Sequence, residues 1–238
     1  MKRIDQLSVK ILADGADLPD IVDLAQYPYI KGFTTNPTLM RKAGVRDYRA
    51  FARDALRAVP DRPISFEVLS DEFETMKREA LEIACWGELV YVKIPVTNTR
   101  GEPARDLIAE LSRSGVKINV TAVLTIDQVR DMTAALAGGA PACISMFAGR
   151  IADTGCDPVP VFAAAVKAIR AAPNAELIWA SPRELLNIFH AESVGCHIIT
   201  LTHDILKKLP LVGYDLTAYS LDTVKMFVND AVQAGFAI

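Results

Sequence analysis

The chain has 238 residues, of which 51% are hydrophobic, 23% charged and only 7% aromatic. That balance excludes a disordered segment and points to an aliphatic, alanine-rich core, such as a parallel barrel builds from strands that are apolar on both faces. The net charge of −3 comes with no block of Lys or Arg, which argues against a nucleic-acid partner but leaves a small anion within reach of two arginines.

Apolar, β-branched runs alternate with amphipathic segments along the whole chain. Strands are predicted at about 8–14, 30–36, 64–69, 89–96, 117–124, 143–149, 176–181 and 197–202. Helices follow them at about 18–27, 48–59, 71–86, 104–114, 126–137, 157–171, 183–194 and 203–209. A last helix falls near 220–234, within a C-terminal helical extension over 211–238. Gly87, Gly115, Gly139 and Gly195 each stand just after a helical pattern, where a left-handed cap favours glycine. Asp71 and Asp127 lie near helix starts, where a carboxylate suits the dipole.

No low-complexity linker or shift of composition divides the chain, so residues 1–238 read as one domain. Strict βα alternation implies a parallel sheet, and eight such units in this length imply a single closed (β/α)8 barrel with an additional C-terminal helix. The competing architecture is an open doubly wound sheet. Its Gly-rich turn is missing here, since the first strand runs into Ala13-Asp14-Gly15-Ala16-Asp17.

A barrel places its site at the C-terminal ends of the strands. In chain order those ends carry Asp14, then Thr34-Thr35-Asn36-Pro37, Glu67, Lys93, Asn119 with Thr121, Ser145 with Arg150 beyond it, Ser181-Pro182-Arg183, and Thr202-His203-Asp204. The period of two puts Ser65 with Glu67, Tyr91 with Lys93, and Asn119 with Thr121 on shared faces, so each polar set can point into the barrel. Plain structural roles exist for each residue taken singly. Lys93 could be an ion-pair partner of Glu67 or Asp14, Asn36 a turn residue, Asn119 a satisfied core amide, and Arg150 and Arg183 surface charges. Taken together, a polar group at nearly every strand end suggests a site, because buried Asp, Glu and Lys are rare unless paired.

The chemistry that uses such a set is imine formation. A lysine in a dry cavity has its ammonium form disfavoured, and the neutral amine attacks a carbonyl. The protonated imine is an electron sink for cleavage of the bond two atoms away. A carboxylate takes the proton of the departing alcohol, a second acid/base handles the water, amides and hydroxyls hold the sugar, and arginines grip a phosphate.

These residues resemble a known family. The motifs Ala13-Asp14, Thr34-Thr35-Asn36-Pro37, Phe66-Glu67-Val68, Val92-Lys93-Ile94-Pro95-Val96-Thr97, Asn119-Val120-Thr121, Ser145-Met146-Phe147-Ala148-Gly149-Arg150 and Ser181-Pro182-Arg183, in this order over about residues 8–205, are similar to those of the transaldolases. The resemblance is strongest to the compact subfamily that also includes fructose-6-phosphate aldolases. It implies Lys93 as the Schiff-base lysine, Asp14 as the acid/base at the cleaved C3–C4 bond, and Glu67 with Thr121 as the pair that positions the catalytic water. It implies Asn36, Asn119 and Ser145 as binders of the dihydroxyacetone hydroxyls, and Arg150, Ser181 and Arg183 as the phosphate site.

By the same resemblance the aldolase branch has Gln in place of Glu67 and Tyr in place of Phe147, so the chain carries the transaldolase version of both. A tyrosine hydroxyl can protonate the enamine early and release dihydroxyacetone, whereas a phenylalanine cannot. Gly15, Met146, Trp179 and Pro182 depart from the family pattern and bear on pocket shape.

The implied function is transfer of a dihydroxyacetone unit from a ketose phosphate, such as fructose 6-phosphate or sedoheptulose 7-phosphate, to an aldose phosphate, as in the pentose phosphate pathway. An aldolase using free dihydroxyacetone and a catalytically silent sugar-phosphate-binding barrel are the alternatives. The resemblance implies sugar phosphates as small-molecule partners, no metal and no organic cofactor. It also implies a homo-oligomer, with a decamer as one candidate, joined through the C-terminal helix and its Val224, Met226, Phe227 and Val232. The alternative is that this helix folds back on its own barrel. Cys85, Cys143, Cys156 and Cys196 form no C-x-x-C pair, which suits free thiols in a reducing compartment. Residues Met1 to Gln6 carry no apolar signal core and no stretch reaches the length of a membrane span, so the expectation is a soluble cytoplasmic protein without a membrane partner.

Overall fold

A computed structural model describes residues 3–236 and closes the eight predicted strands into one parallel barrel. Met1, Lys2, Ala237 and Ile238, which the predicted domain and its terminal segments included, lie outside the described residues. The strands are β1 (Lys10–Asp14), β2 (Ile30–Thr34), β3 (Ile64–Glu67), β4 (Val90–Pro95), β5 (Ile118–Val123), β6 (Ala142–Phe147), β7 (Ala175–Ala180) and β8 (Ile198–Thr202). Each pairs with its sequence neighbours, and β8 pairs back onto β1.

The helices are α1 (Leu18–Ala25), α2 (Pro37–Lys42), α3 (Tyr48–Ala58), α4 (Phe73–Ala84), α5 (Arg105–Arg113), α6 (Ile126–Leu136), α7 (Ala148–Asp153), α8 (Pro158–Ala168), α9 (Asn187–Ser193), α10 (His203–Leu206) and α11 (Leu216–Gln233). Side-chain caps explain many of their starts. Asp17, Asn36, Asp47, Asp157 and Asp215 each accept a first-turn backbone N–H, and Thr125 and Gln128 form a reciprocal capping box.

Sequence reading missed α2 and α7, which are six residues each, too short for a helical period to show. The sixth strand ends at Phe147, two residues before the predicted end, because α7 begins at once. Gly115 and Gly195 are left-handed as expected, with φ of 96° and 72°. After α6 that role belongs to Gly138 and not Gly139, whose smallness is required instead because a Cβ there would lie 2.1 Å from Ser112 Oγ. Gly87 is not left-handed. Asp71 lies near the start of α4, one residue before the N-cap position Glu72, and accepts the N–H and hydroxyl of Thr99 at 2.7 and 2.6 Å.

Two apolar layers result. The larger lies between barrel and helices and holds the biggest buried side chains, among them Trp179, Phe33, Phe66 and Phe162. The smaller plugs the barrel interior with Leu12, Cys143, Ile178, Ala180 and Ile198, against which Tyr91 and Phe147 pack. Above that plug the inward positions turn polar.

The last helix behaves differently from all of these. None of the 18 residues of α11 is buried, and Leu216, Phe227 and Val232 are 80%, 62% and 74% exposed. It therefore does not fold its apolar face onto its own barrel. Among the described residues no helix is long and apolar enough to cross a membrane.

Candidate active site

Register brings the polar strand ends together. Glu67 pairs with Lys93, Lys93 with Asn119, and Pro95 with Thr121, while Asp14 lies between Thr34 on β2 and Thr202 on β8. Neighbours at one register on parallel strands share a face, so these side chains converge on the C-terminal mouth of the barrel.

Lys93 is 5% exposed. Its Nζ donates to the Thr35 carbonyl at 3.0 Å and lies 3.5 Å from Glu67 Oε2. Asp14 accepts a hydrogen bond from Thr34 Oγ1 at 2.7 Å, and Thr34 Oγ1 meets Thr200 Oγ1 at 2.6 Å. Burial pushes the Asp14 carboxyl above its ordinary value, opposed by the Lys93 charge and by the Thr34 hydrogen bond. Burial also raises Glu67, opposed by Lys93 and reinforced by Asp14. Two carboxyls thus compete for one buried lysine, an arrangement suited to proton exchange.

Under these groups runs a buried hydrogen-bonded chain, in which Ser145 Oγ donates to Asn119 Oδ1 at 2.7 Å and Asn119 Nδ2 donates to Ser65 Oγ at 3.1 Å. Thr121 differs, because its hydroxyl is buried and makes no protein hydrogen bond among the described residues. It precedes Ala122, a non-glycine residue with φ of 61°, at the point where the β5–β6 register shifts. A left-handed non-glycine residue costs roughly 1–3 kcal/mol and is found where a side chain must be aimed. Asn36 caps α2 through Oδ1, which accepts from Leu39 N–H at 2.9 Å, and so keeps its amide nitrogen for the cavity it lines.

The opposite wall is built by β6, α7 and the end of β7. Arg150 projects from α7 with its guanidinium carbon 5.5 Å from the Phe147 ring centroid. A Cβ on Gly149 would lie 1.7 Å from the Ser181 carbonyl oxygen, so only glycine lets α7 approach the end of β7. Ser181 itself is left-handed, with φ of 56°. Arg183 is already engaged, because Nε donates to Asp153 Oδ1 at 3.0 Å and Nη2 donates to Asp153 Oδ2. That guanidinium holds the Asp153 carboxyl below its ordinary range.

These elements enclose a cavity of about 630 Å³. Asp14, Asn36, Glu67, Lys93, Thr121, Ser145, Phe147, Arg150, Ser181 and Arg183 all line it, whereas Asn119, fully buried, sits beneath its floor. Thr200, Lys42 and Asp153 went unnoticed in the sequence. Thr200 lies below the end of its strand, where Thr202 stands, and the other two lie on the short helices α2 and α7. A second cavity of about 440 Å³ between α3 and α4 also touches Glu67, but no lysine lines it among the described residues and Arg49 is paired there with Glu82.

The family model for transaldolase/fructose-6-phosphate aldolase matches residues 11–238. A probable transaldolase of Thermoanaerobacter sp. is 33% identical over 231 residues, covering 97% of this chain and 100% of that protein. A probable transaldolase of Dehalococcoides mccartyi is 29% identical over 218 residues, covering 90% and 97%. Among solved structures, a putative lyase/mutase from Burkholderia cenocepacia aligns with a TM-score of 0.59 at 16% identity, covering 88% of this chain and 82% of that one. A 2,3-dimethylmalate lyase aligns with a TM-score of 0.54 at 11% identity, covering 98% and 86%. At such identities the two structures share the fold alone.

Proposed function

The chain belongs to the transaldolase/fructose-6-phosphate aldolase family, and from that premise we propose that it is a transaldolase acting through a Schiff base on Lys93. The observation that carries this reading is a lysine 5% exposed, 3.5 Å from one carboxylate and in the field of a second, in a cavity with arginines on its rim. The Lys93 amine attacks the ketose C2 carbonyl, and loss of water leaves an imine. Asp14 takes the proton of the C4 hydroxyl as the C3–C4 electron pair moves into the iminium. An aldose phosphate departs and an enamine remains on Lys93. A second aldose phosphate then accepts the three-carbon unit by the reverse steps, and hydrolysis frees the product.

Glu67 and the unpartnered Thr121 hydroxyl are suited to hold the water exchanged with the imine. Asn36 and Ser145 would hold the hydroxyls of the three-carbon unit, with Asn119 orienting Ser145 from below. Arg150, Ser181 and Arg183 would hold the phosphate. Phe147 offers the enamine no proton, which favours transfer over release. Fructose 6-phosphate and sedoheptulose 7-phosphate are the donors this reading selects, within the pentose phosphate pathway. Four free cysteines, two of them buried, support a reducing cytoplasmic setting.

The deciding experiment is borohydride trapping with fructose 6-phosphate and no acceptor, followed by peptide mass mapping. A stable three-carbon adduct on Lys93 is expected. Steady release of free dihydroxyacetone without acceptor would move the reading to an aldolase, and no adduct with any ketose phosphate would overturn the Schiff base. The exposed apolar face of α11 further supports a homo-oligomer, with a decamer as the candidate number. Size-exclusion chromatography with light scattering should give a multiple of the chain mass, and a stable monomer would refute it.

A further inference from the structure

We propose that Thr34 and Thr200 are positioning residues for Asp14, a two-hydroxyl chain that occupies one carboxylate oxygen and leaves the other for the substrate hydroxyl. The inference rests on the cleavage step above, in which Asp14 is the base. Thr34 Oγ1 donates to Asp14 Oδ1 at 2.7 Å. A threonine hydroxyl has one proton, so in the 2.6 Å contact between the two threonines Thr200 is the donor. Both protons of the chain therefore point toward Asp14. With Asp14 ionised, the chain runs from Thr200, which lines the cavity and whose Oγ1 makes no other protein hydrogen bond among the described residues, through Thr34 to Oδ1. Donation to Oδ1 favours the carboxylate, the form that the cleavage step requires.

The two hydroxyls have no evident role in the fold. Thr34 and Thr200 are 1% and 4% exposed, on the two strands that flank β1. Valine has the same shape and suits a strand at least as well, and a buried hydroxyl is costly unless paired. Their pairing ends on Oδ1 of a residue that lines the cavity, and Oδ2 has no protein hydrogen bond among the described residues. Charge-assisted donation offsets the burial that otherwise favours the neutral acid. The free oxygen then receives the C4 hydroxyl proton as the carbon–carbon bond breaks.

The test compares Thr34→Val, Thr34→Ser, Thr200→Val and wild type in two readouts. One is infrared difference titration of the Asp14 carboxyl, isolated by subtracting Asp14→Asn. The other is the pH profile of kcat/KM. In Thr34→Val the Asp14 titration and the acidic limb should both move up by about one unit, as expected for loss of a hydrogen bond to the charged form. Turnover should fall more than KM changes. Thr34→Ser should restore both, and Thr200→Val should shift them the same way by less. An Asp14 titration unchanged in folded Thr34→Val and Thr200→Val, or one shifted equally in Thr34→Ser, would overturn the proposal. If wild type gave no Lys93 adduct, the cleavage reading would fall separately, while the infrared titration would still decide whether the hydroxyls govern Asp14.

Discussion

Two lysine–carboxylate pairs stand in the same barrel, at opposite ends. At the N-terminal end Lys10 Nζ meets Glu176 Oε2 at 2.5 Å, with side chains 44% and 39% exposed. At the C-terminal end Lys93 and Glu67 are 3.5 Å apart, with side chains 7% and 15% exposed. The close pair is the solvated one, where water screens the attraction and contact is worth about 0–1 kcal/mol. The distant pair is buried, its lysine is shared with Asp14, and both carboxyls are raised by burial. An arrangement built for stability would close the buried pair and omit the second carboxyl. The difference marks the upper end as the working end.

Substitutions at the two ends should therefore diverge, most of all at the lysines. Lys93→Met should lower turnover by at least about a thousandfold and abolish borohydride trapping, as for loss of a covalent nucleophile. Lys10→Met should leave kcat within about twofold, since an exposed pair contributes little. Equal losses at both positions would erase the contrast.

The carboxylates should follow with a smaller gap. Glu67→Gln should reduce kcat by roughly 10²–10⁴, the usual worth of a general acid/base, measured as slower formation and hydrolysis of the imine. Glu176→Gln should leave both steps unchanged.

At the mouth, Arg183→Met should raise KM for phosphorylated sugars by about 10- to 100-fold, the range of one charged hydrogen-bonding group, with little change for unphosphorylated analogues. Equal loss with both substrates would move Arg183 out of the phosphate site and leave it as a structural partner of Asp153.

The smallest effect is on stability. Because the folded-state value of Asp14 is raised, the folded protein binds the proton more tightly than the unfolded chain does. This group is therefore unfavourable to folding above its raised value, and the penalty vanishes below the ordinary carboxylate range of about pH 4. Asp14→Asn should raise Tm at neutral pH, by an amount that shrinks on acidification, with Glu67 still partnering Lys93. A Tm lowered at neutral pH would show that Asp14 stabilises the fold.

The sequence by itself determined the order of the strands and which polar residues end them. Both follow from local periods, two along a strand and 3.6 along a helix, which need no distant contact to be read. Of the eleven site residues that the strand ends and the family resemblance together implied, ten line one cavity. What escaped reading depends on contacts between distant segments or on elements shorter than their own period. Asp153 grips Arg183 across 30 positions, Thr200 reaches Thr34 across 166, and Asn119 lies beneath the cavity because Ser65 and Ser145 take its amide. The helices α2 and α7, too short to show periodicity, carry Lys42, Arg150 and Asp153 to the mouth. Only closure of the barrel, which joins β8 to β1, decided that Thr200 meets Thr34 where Thr34 meets Asp14. The exposure of α11 was likewise a tertiary matter, since an apolar stripe fits burial on its own barrel and contact with another chain equally well.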